Sequence, residues 1–218
     1  MIPYRSLSFA SVLLSFVLLW PAGLFASDQA LINAIEDGQP QRVSILLDQG
    51  VTPEAVTRGG EYDGKTALMW AAEGGDVESV DLLLAYGANV NRTNPKGGTA
   101  LMYAAVQGHA TIIERLVEAG ADPNHTVRHG WSPLMLATSK GHTESVETLV
   151  ALGADPQTRD VYGWTLLMRA VERGDEPMVR TLLDAGISPE EEDHSGNTAL
   201  VIAERSGESH ILDLLREH

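Results

Sequence analysis

The sequence predicts an all-α solenoid of about six helix-turn-helix repeats with finger loops, preceded by a secretory signal peptide. Three features predict it. A spacing of 33 residues recurs along the chain, helix start and stop residues hold fixed places within it, and an apolar N-terminal run ends at a small residue.

The N-terminal element comes first. Arg5 is the sole charge before Asp28, and from Leu7 to Trp20 serines alone interrupt the apolar residues. Pro21 and Gly23 are expected to break the helix, and Ala26 closes the run ahead of Ser27 and Asp28. A positive start, a short apolar core and a small residue before a polar junction describe an export signal. Residues 1–26 are therefore read as a signal peptide, leaving a periplasmic or secreted body of residues 27–218. An uncleaved anchor is the competing reading, because Leu7 to Phe25 approaches the roughly 20 residues that cross a bilayer.

The body divides into repeats at 27–63, 64–96, 97–129, 130–162 and 163–195, with a capping repeat at 196–218. Thr66, Thr99, Ser132, Thr165 and Thr198 are 33 residues apart, as are Gly64, Gly97, Gly130, Gly163 and Gly196. Gly75, Gly108, Gly141, Gly174 and Gly207 keep the same step, and so do Gly87, Gly120, Gly153 and Gly186. Each Thr or Ser can cap a helix, and Pro133 suits a first helical position. A short helix follows, in which Leu68, Leu101, Leu134, Leu167 and Leu200 share a face with alanines three residues on. Gly75 and its equivalents stop that helix. A second helix then carries apolar residues such as Val80, Leu83 and Leu84 on one face, and a polar finger leads to the next repeat. Such a helix pair cannot bury its apolar face alone, so pairs must stack.

The pattern G-x-T-A-L-x-x-A-A-x-x-G, a second helix ending in L-L-x-x-G-A and then a finger, resembles the ankyrin repeat across nearly all of residues 28–218. Two departures stand out. Met69, Met102, Met135 and Met168 replace the histidine that usually ties neighbouring loops, so apolar packing is expected to take over that role. The first finger, TPEAVTRGGEYDG, carries four extra residues.

The resemblance implies a concave protein-binding surface made of finger tips and inner helices. Carried over position by position, it selects Tyr62, Lys96, Arg128, His129, Trp131, Lys140, Arg159, Tyr162, Trp164 and Arg173. Trp131 and Trp164 share one position in successive repeats, and His129 and Tyr162 share another. Aromatic and Arg side chains dominate binding hot spots, whereas the plainer reading has each Trp packing on its own finger. Trp70 and Tyr103, inside first helices, are expected to be core. Arg169 at the equivalent position is odd for a core site, with Glu172 or the groove as what it can reach.

Composition narrows the chemistry. Thirty acidic against fifteen basic residues give a net charge of −15, which repels phosphate backbones and disfavours nucleic acid. With no cysteine, disulfides, thiolate metal sites and a Cys nucleophile are excluded. His125 and His129 are four residues apart, but on a finger rather than a helix and without a third ligand. The acidic stretch Glu190 to Asp193 reads as a solvated loop. No phosphate-cradling loop, HExxH helix or nucleophile turn is present. The expectation is a monomeric, non-enzymatic binding protein, with no cofactor, metal or catalytic residue, acting as a periplasmic adaptor, stabiliser or modulator. An inhibitor or immunity protein against a periplasmic toxin or hydrolase is the alternative, and an enzyme or metal-binding protein a more distant one.

Overall fold

The computed structural model describes residues 20–218, with side chains from Asp28 onward. Among the described residues there are twelve α-helices and no strand beyond two isolated bridges. The helices form six pairs: α1 (Trp20–Glu36) with α2 (Pro40–Asp48), α3 (Ala67–Gly74) with α4 (Val77–Ala85), and α5 (Ala100–Gln107) with α6 (Ala110–Glu118). Then come α7 (Pro133–Lys140) with α8 (Thr143–Ala151), α9 (Leu166–Glu172) with α10 (Glu176–Asp184), and α11 (Ala199–Ser206) with α12 (Ser209–Arg216). Odd-numbered helices touch each other in one layer and even-numbered helices in a second. This is the expected solenoid.

The apolar run of the predicted signal, residues 1–19, lies outside the described residues. One expectation there is corrected: Pro21 and Gly23 do not break a helix, because α1 is continuous from Trp20 to Glu36 and crosses the Ala26–Ser27 junction. Pro21 falls in the first described turn, where a missing N–H costs little, and one glycine costs about 1 kcal/mol. Leu31, Ile32, Ala34 and Ile35 are buried from that helix, which outweighs the glycine. Among the described residues no helix is long and apolar enough to cross a membrane.

The capping series does what its chemistry allows. Oγ1 of Thr66 accepts the Met69 amide at 3.1 Å, and Ser132 accepts Met135 at 3.2 Å, with Thr99, Thr165 and Thr198 acting alike. Leu68, Leu101, Leu134 and Leu167 are buried with Ala71, Ala104, Ala137 and Ala170 beside them. Leu200 departs from its series. It is half-exposed, because its helix has a neighbouring inner helix on one side alone.

What ties neighbouring repeats differs from expectation. The methionines pack in the core, but the sulfurs of Met69 and Met168 also accept the amides of Thr66 and Thr165 at 3.4 and 3.5 Å. Histidines still bridge repeats from other positions. The Nε2–H of His109 donates to the Glu73 carbonyl at 3.1 Å, and His142 donates to that of Val106 at 2.9 Å. His125 likewise donates to the Gly97 carbonyl at 2.9 Å, a structural use of that residue. Close approach explains the intervening glycines: a Cβ on Gly108 would lie 2.6 Å from the His142 ring. At the finger bases Asn91 donates to Gly120 and accepts from Asp122, and Asn124 repeats both bonds with Gly153 and Asp155.

Candidate protein-binding surface

Four fingers follow one design. In each, the amide of the residue at 94, 127, 160 or 193 donates to the carbonyl four residues on, and the finger glycine donates back to its carbonyl. At three of these positions an Asx side chain finishes the turn. Asn94 Oδ1 accepts the amides of Lys96 and Gly98, Asp160 those of Tyr162 and Trp164, and Asp193 those of Ser195 and Asn197, all within 2.8–2.9 Å. Hydrogen bonds to the Asn197 side chain, first among its causes, hold the Asp193 carboxyl below its ordinary pKa. Val127 supplies no such acceptor. Its finger winds into a short 3-10 turn, and His129 there takes φ 69°, the one left-handed non-glycine among the described residues.

The inner helices present positions 70, 103, 136 and 169 toward the fingers, with Trp, Tyr, Leu and Arg in turn. The core reading of Trp70 and Tyr103 is corrected here. Both are half-buried at the edge of the core, and both use their polar ends. Trp70 Nε1–H donates to Thr57 Oγ1 at 2.7 Å, and Tyr103 Oη accepts from Asn94 at 3.0 Å. Burial pushes the Tyr103 phenol above its ordinary pKa. Between the two rings lies Lys65, buried at 1% exposure, its Nζ 3.4 Å from the Trp70 ring centroid and 4.7 Å from that of Tyr103. Glu73 completes the cage as its ion-pair partner, and Tyr62 covers it from outside with its ring 5.2 Å from Trp70.

A second knot of this kind joins the third and fourth fingers. The Arg169 guanidinium lies 5.1 Å from the Trp131 ring and 4.4 Å from the Trp164 ring. Its edge is bound by the fully buried carboxylate of Asp160 and by Glu172 at 3.1 Å. The same Asp160 carboxylate closes the fourth finger's turn, so finger, helix and both tryptophans share one charged centre. Cation–π pairs of this sort contribute about 0.5–2 kcal/mol, more as they are desolvated.

The structure therefore sorts the residues picked from sequence. Trp131 and Trp164 are brought together, but half-buried and against Arg169. Arg159 is taken up by the Glu191 carboxylate and the Glu192 carbonyl, and Arg173 by the Ser139 carbonyl at 3.0 Å. These two arginines and Arg128 share no common partner among the described residues. Left exposed are Tyr62, Lys96, Arg128, His129, Lys140 and Tyr162, with Tyr162 at 60% the most accessible large aromatic among the described residues. Sequence reasoning missed Lys65, Asp160 and Arg169 as organisers of this face. The available signal was the varied series at positions 70, 103, 136 and 169, where Trp, Tyr, Leu and Arg stand in place of one repeated core residue.

Among the described residues no cluster of three His, Asp or Glu is arranged to hold a metal. Compared with protein families, the chain matches the description "Ankyrin repeats (3 copies)" over residues 17–94, 90–160 and 134–218. A comparison with curated proteins gave no match.

Proposed function

The chain belongs to the ankyrin repeat family, whose arrays are protein–protein interaction modules, and from that premise we propose that it is exported to the bacterial periplasm, where its finger face binds and modulates a partner protein. The observation that carries the reading is the contrast between the two layers. The finger side exposes Tyr62 and Tyr162 together with Lys96, Arg128 and Lys140, and its end fingers carry exposed carboxylates at Glu61, Asp63, Glu190 and Glu192. The outer helices instead carry acidic residues such as Glu78, Asp81, Glu114, Glu118 and Glu144. Exposed aromatics with Arg and Lys suit a binding hot spot, while acidic outer helices favour solubility. Export is supported by the apolar segment after Arg5 and by the polar junction at Ser27.

The experiment is a pull-down of the exported protein from envelope extract, with the captured proteins identified by mass spectrometry. Trp131 and Trp164 are poor probes, since removing them uncovers Arg169. Tyr162→Ala is the cleaner test, because its ring is exposed and shields no buried charge, whereas Tyr62 covers Lys65. Loss of the captured partner with an unchanged melting temperature supports the reading. Full retention of that partner argues against the finger face. An intact mass beginning at Ser27 in the periplasmic fraction checks the export half of the proposal.

A further inference from the structure

We propose that the groove between the second and third fingers takes an acidic segment of a partner protein, anchored by one bulky apolar side chain with carboxylates beside it. This rests on the finger-face reading above and specifies the chemistry of what fills that face.

An apolar depression of about 230 Å³ lies there, walled by Met102, Tyr103, Val106, Val127 and Leu136. Drug-sized ligands need about 300–1,000 Å³, so this space suits one large side chain better than a cofactor. One cation lines it and two more follow lining residues in the chain. Lys96 is part of its wall, Arg128 follows Val127, and Lys140 stands one helical turn beyond Leu136 on α7. All three are exposed, and none takes part in an ion pair among the described residues. Of the nearby carboxylates, Glu73 in the wall holds Lys65, Asp160 and Glu172 hold Arg169, and Glu61 and Asp63 stand on the first-finger side of Lys96, outside the depression. The unmatched charge in this groove is thus positive, although the whole chain carries −15. The outer-helix carboxylates stand across a helix layer roughly 10 Å thick, comparable to the screening length of about 8 Å at physiological salt. Local charge therefore selects the partner.

A second observation falls on the same spot. Val127 is the residue that deprives its finger of an Asx acceptor, and the cost is visible in the left-handed His129. The apolar side chain that weakens the turn is the one that walls the depression. A finger optimised for stability alone would carry Asn or Asp there, as its neighbours do.

The test is to pan a display library of short linear peptides against the exported protein and against Lys96→Glu, Arg128→Glu, Lys140→Glu. All three positions are exposed, and circular dichroism confirms that the variant keeps its helices. The expected result is enrichment of peptides with one Phe, Trp, Leu or Met flanked by Asp or Glu. Their affinity should fall about tenfold or more in the charge-reversed protein and decline with added salt. Enrichment of basic or uncharged peptides, no enriched class, or indifference to the reversal overturns the proposal. The envelope partner is tested in parallel. If it binds the charge-reversed protein normally yet is lost with Tyr162→Ala, the finger-face reading stands and the acidic-segment proposal falls.

Discussion

At the scale of single residues, the centre of gravity is Arg169 with Asp160. The carboxylate is fully buried and Arg169 is 16% exposed, so each charge depends on the other for its solvation. Arg169 Nε finds no acceptor, which leaves little slack in the cluster. Removing one member of a buried pair costs about 3–5 kcal/mol, and the residual exposure of Arg169 lowers the expected figure to about 2 kcal/mol. Arg169→Leu should therefore lose about 2 kcal/mol in urea unfolding, because it strands Asp160. Asp160→Asn, which keeps an oxygen for the Tyr162 and Trp164 amides, should lose less. The double variant should be more stable than the sum of the two losses indicates, since no buried charge is left unmatched. Strict additivity would mean that the two side chains do not interact. The Glu172 contact was legible as a helical neighbour three residues on, but the Asp160 contact was not. The partner lies nine residues upstream in a finger, and periodicity carries no information about that pairing.

At the scale of the element, the finger shows why stability and recognition can diverge. Val127→Asn should give the third finger the side-chain acceptor that Asn94 supplies to the second, adding two hydrogen bonds worth about 1 kcal/mol in sum after the lost apolar packing. His129 should leave the left-handed region, which a changed φ-dependent coupling in NMR would report. Binding of the envelope partner should weaken as the melting temperature rises. A variant that is both more stable and fully competent would show the irregular turn to be incidental. The helices themselves were readable because capping and stopping are local chemistry. Thr66, Thr99 and Ser132 cap the helices assigned to them, and the glycines at 75, 108 and 141 end those helices in the left-handed conformation. The finger turns were half readable, since Asp160 and Asp193 are ordinary turn residues but their roles depend on amides two and four positions on. Trp70 and Tyr103 were misread for a different reason. A helix face in a solenoid borders both the core and the open groove, and three-residue spacing cannot separate the two.

At the scale of the whole molecule, stacked pairs behave as a line of coupled units, so the weakest junction sets where the array opens. The junction between the fourth and fifth pairs is the candidate. On its outer side α8 and α10 leave a cleft of about 420 Å³ walled by Val146, Val150, Leu182 and Ile187, where apolar surface lacks a partner. Its finger side is instead closed by Trp131, Trp164 and Arg169 and by the Arg173 bond to Ser139. Coupling across this junction thus depends on the charged knot more than on helix packing. Native-state hydrogen exchange should accordingly show α9 to α12 opening together at a lower free energy than α3 to α8. Arg169→Leu should widen that gap, whereas Ala185→Leu, reaching into the cleft from just past the end of α10, should narrow it. The two substitutions act on opposite sides of the same junction, so their effects on the C-terminal pairs should be opposite in sign. If the slowest amides of all twelve helices instead exchanged at one common free energy in the parent and both variants, the array would be a single cooperative unit, and the knot at Arg169 would be a local ornament of the binding face rather than its mechanical link to the rest of the chain.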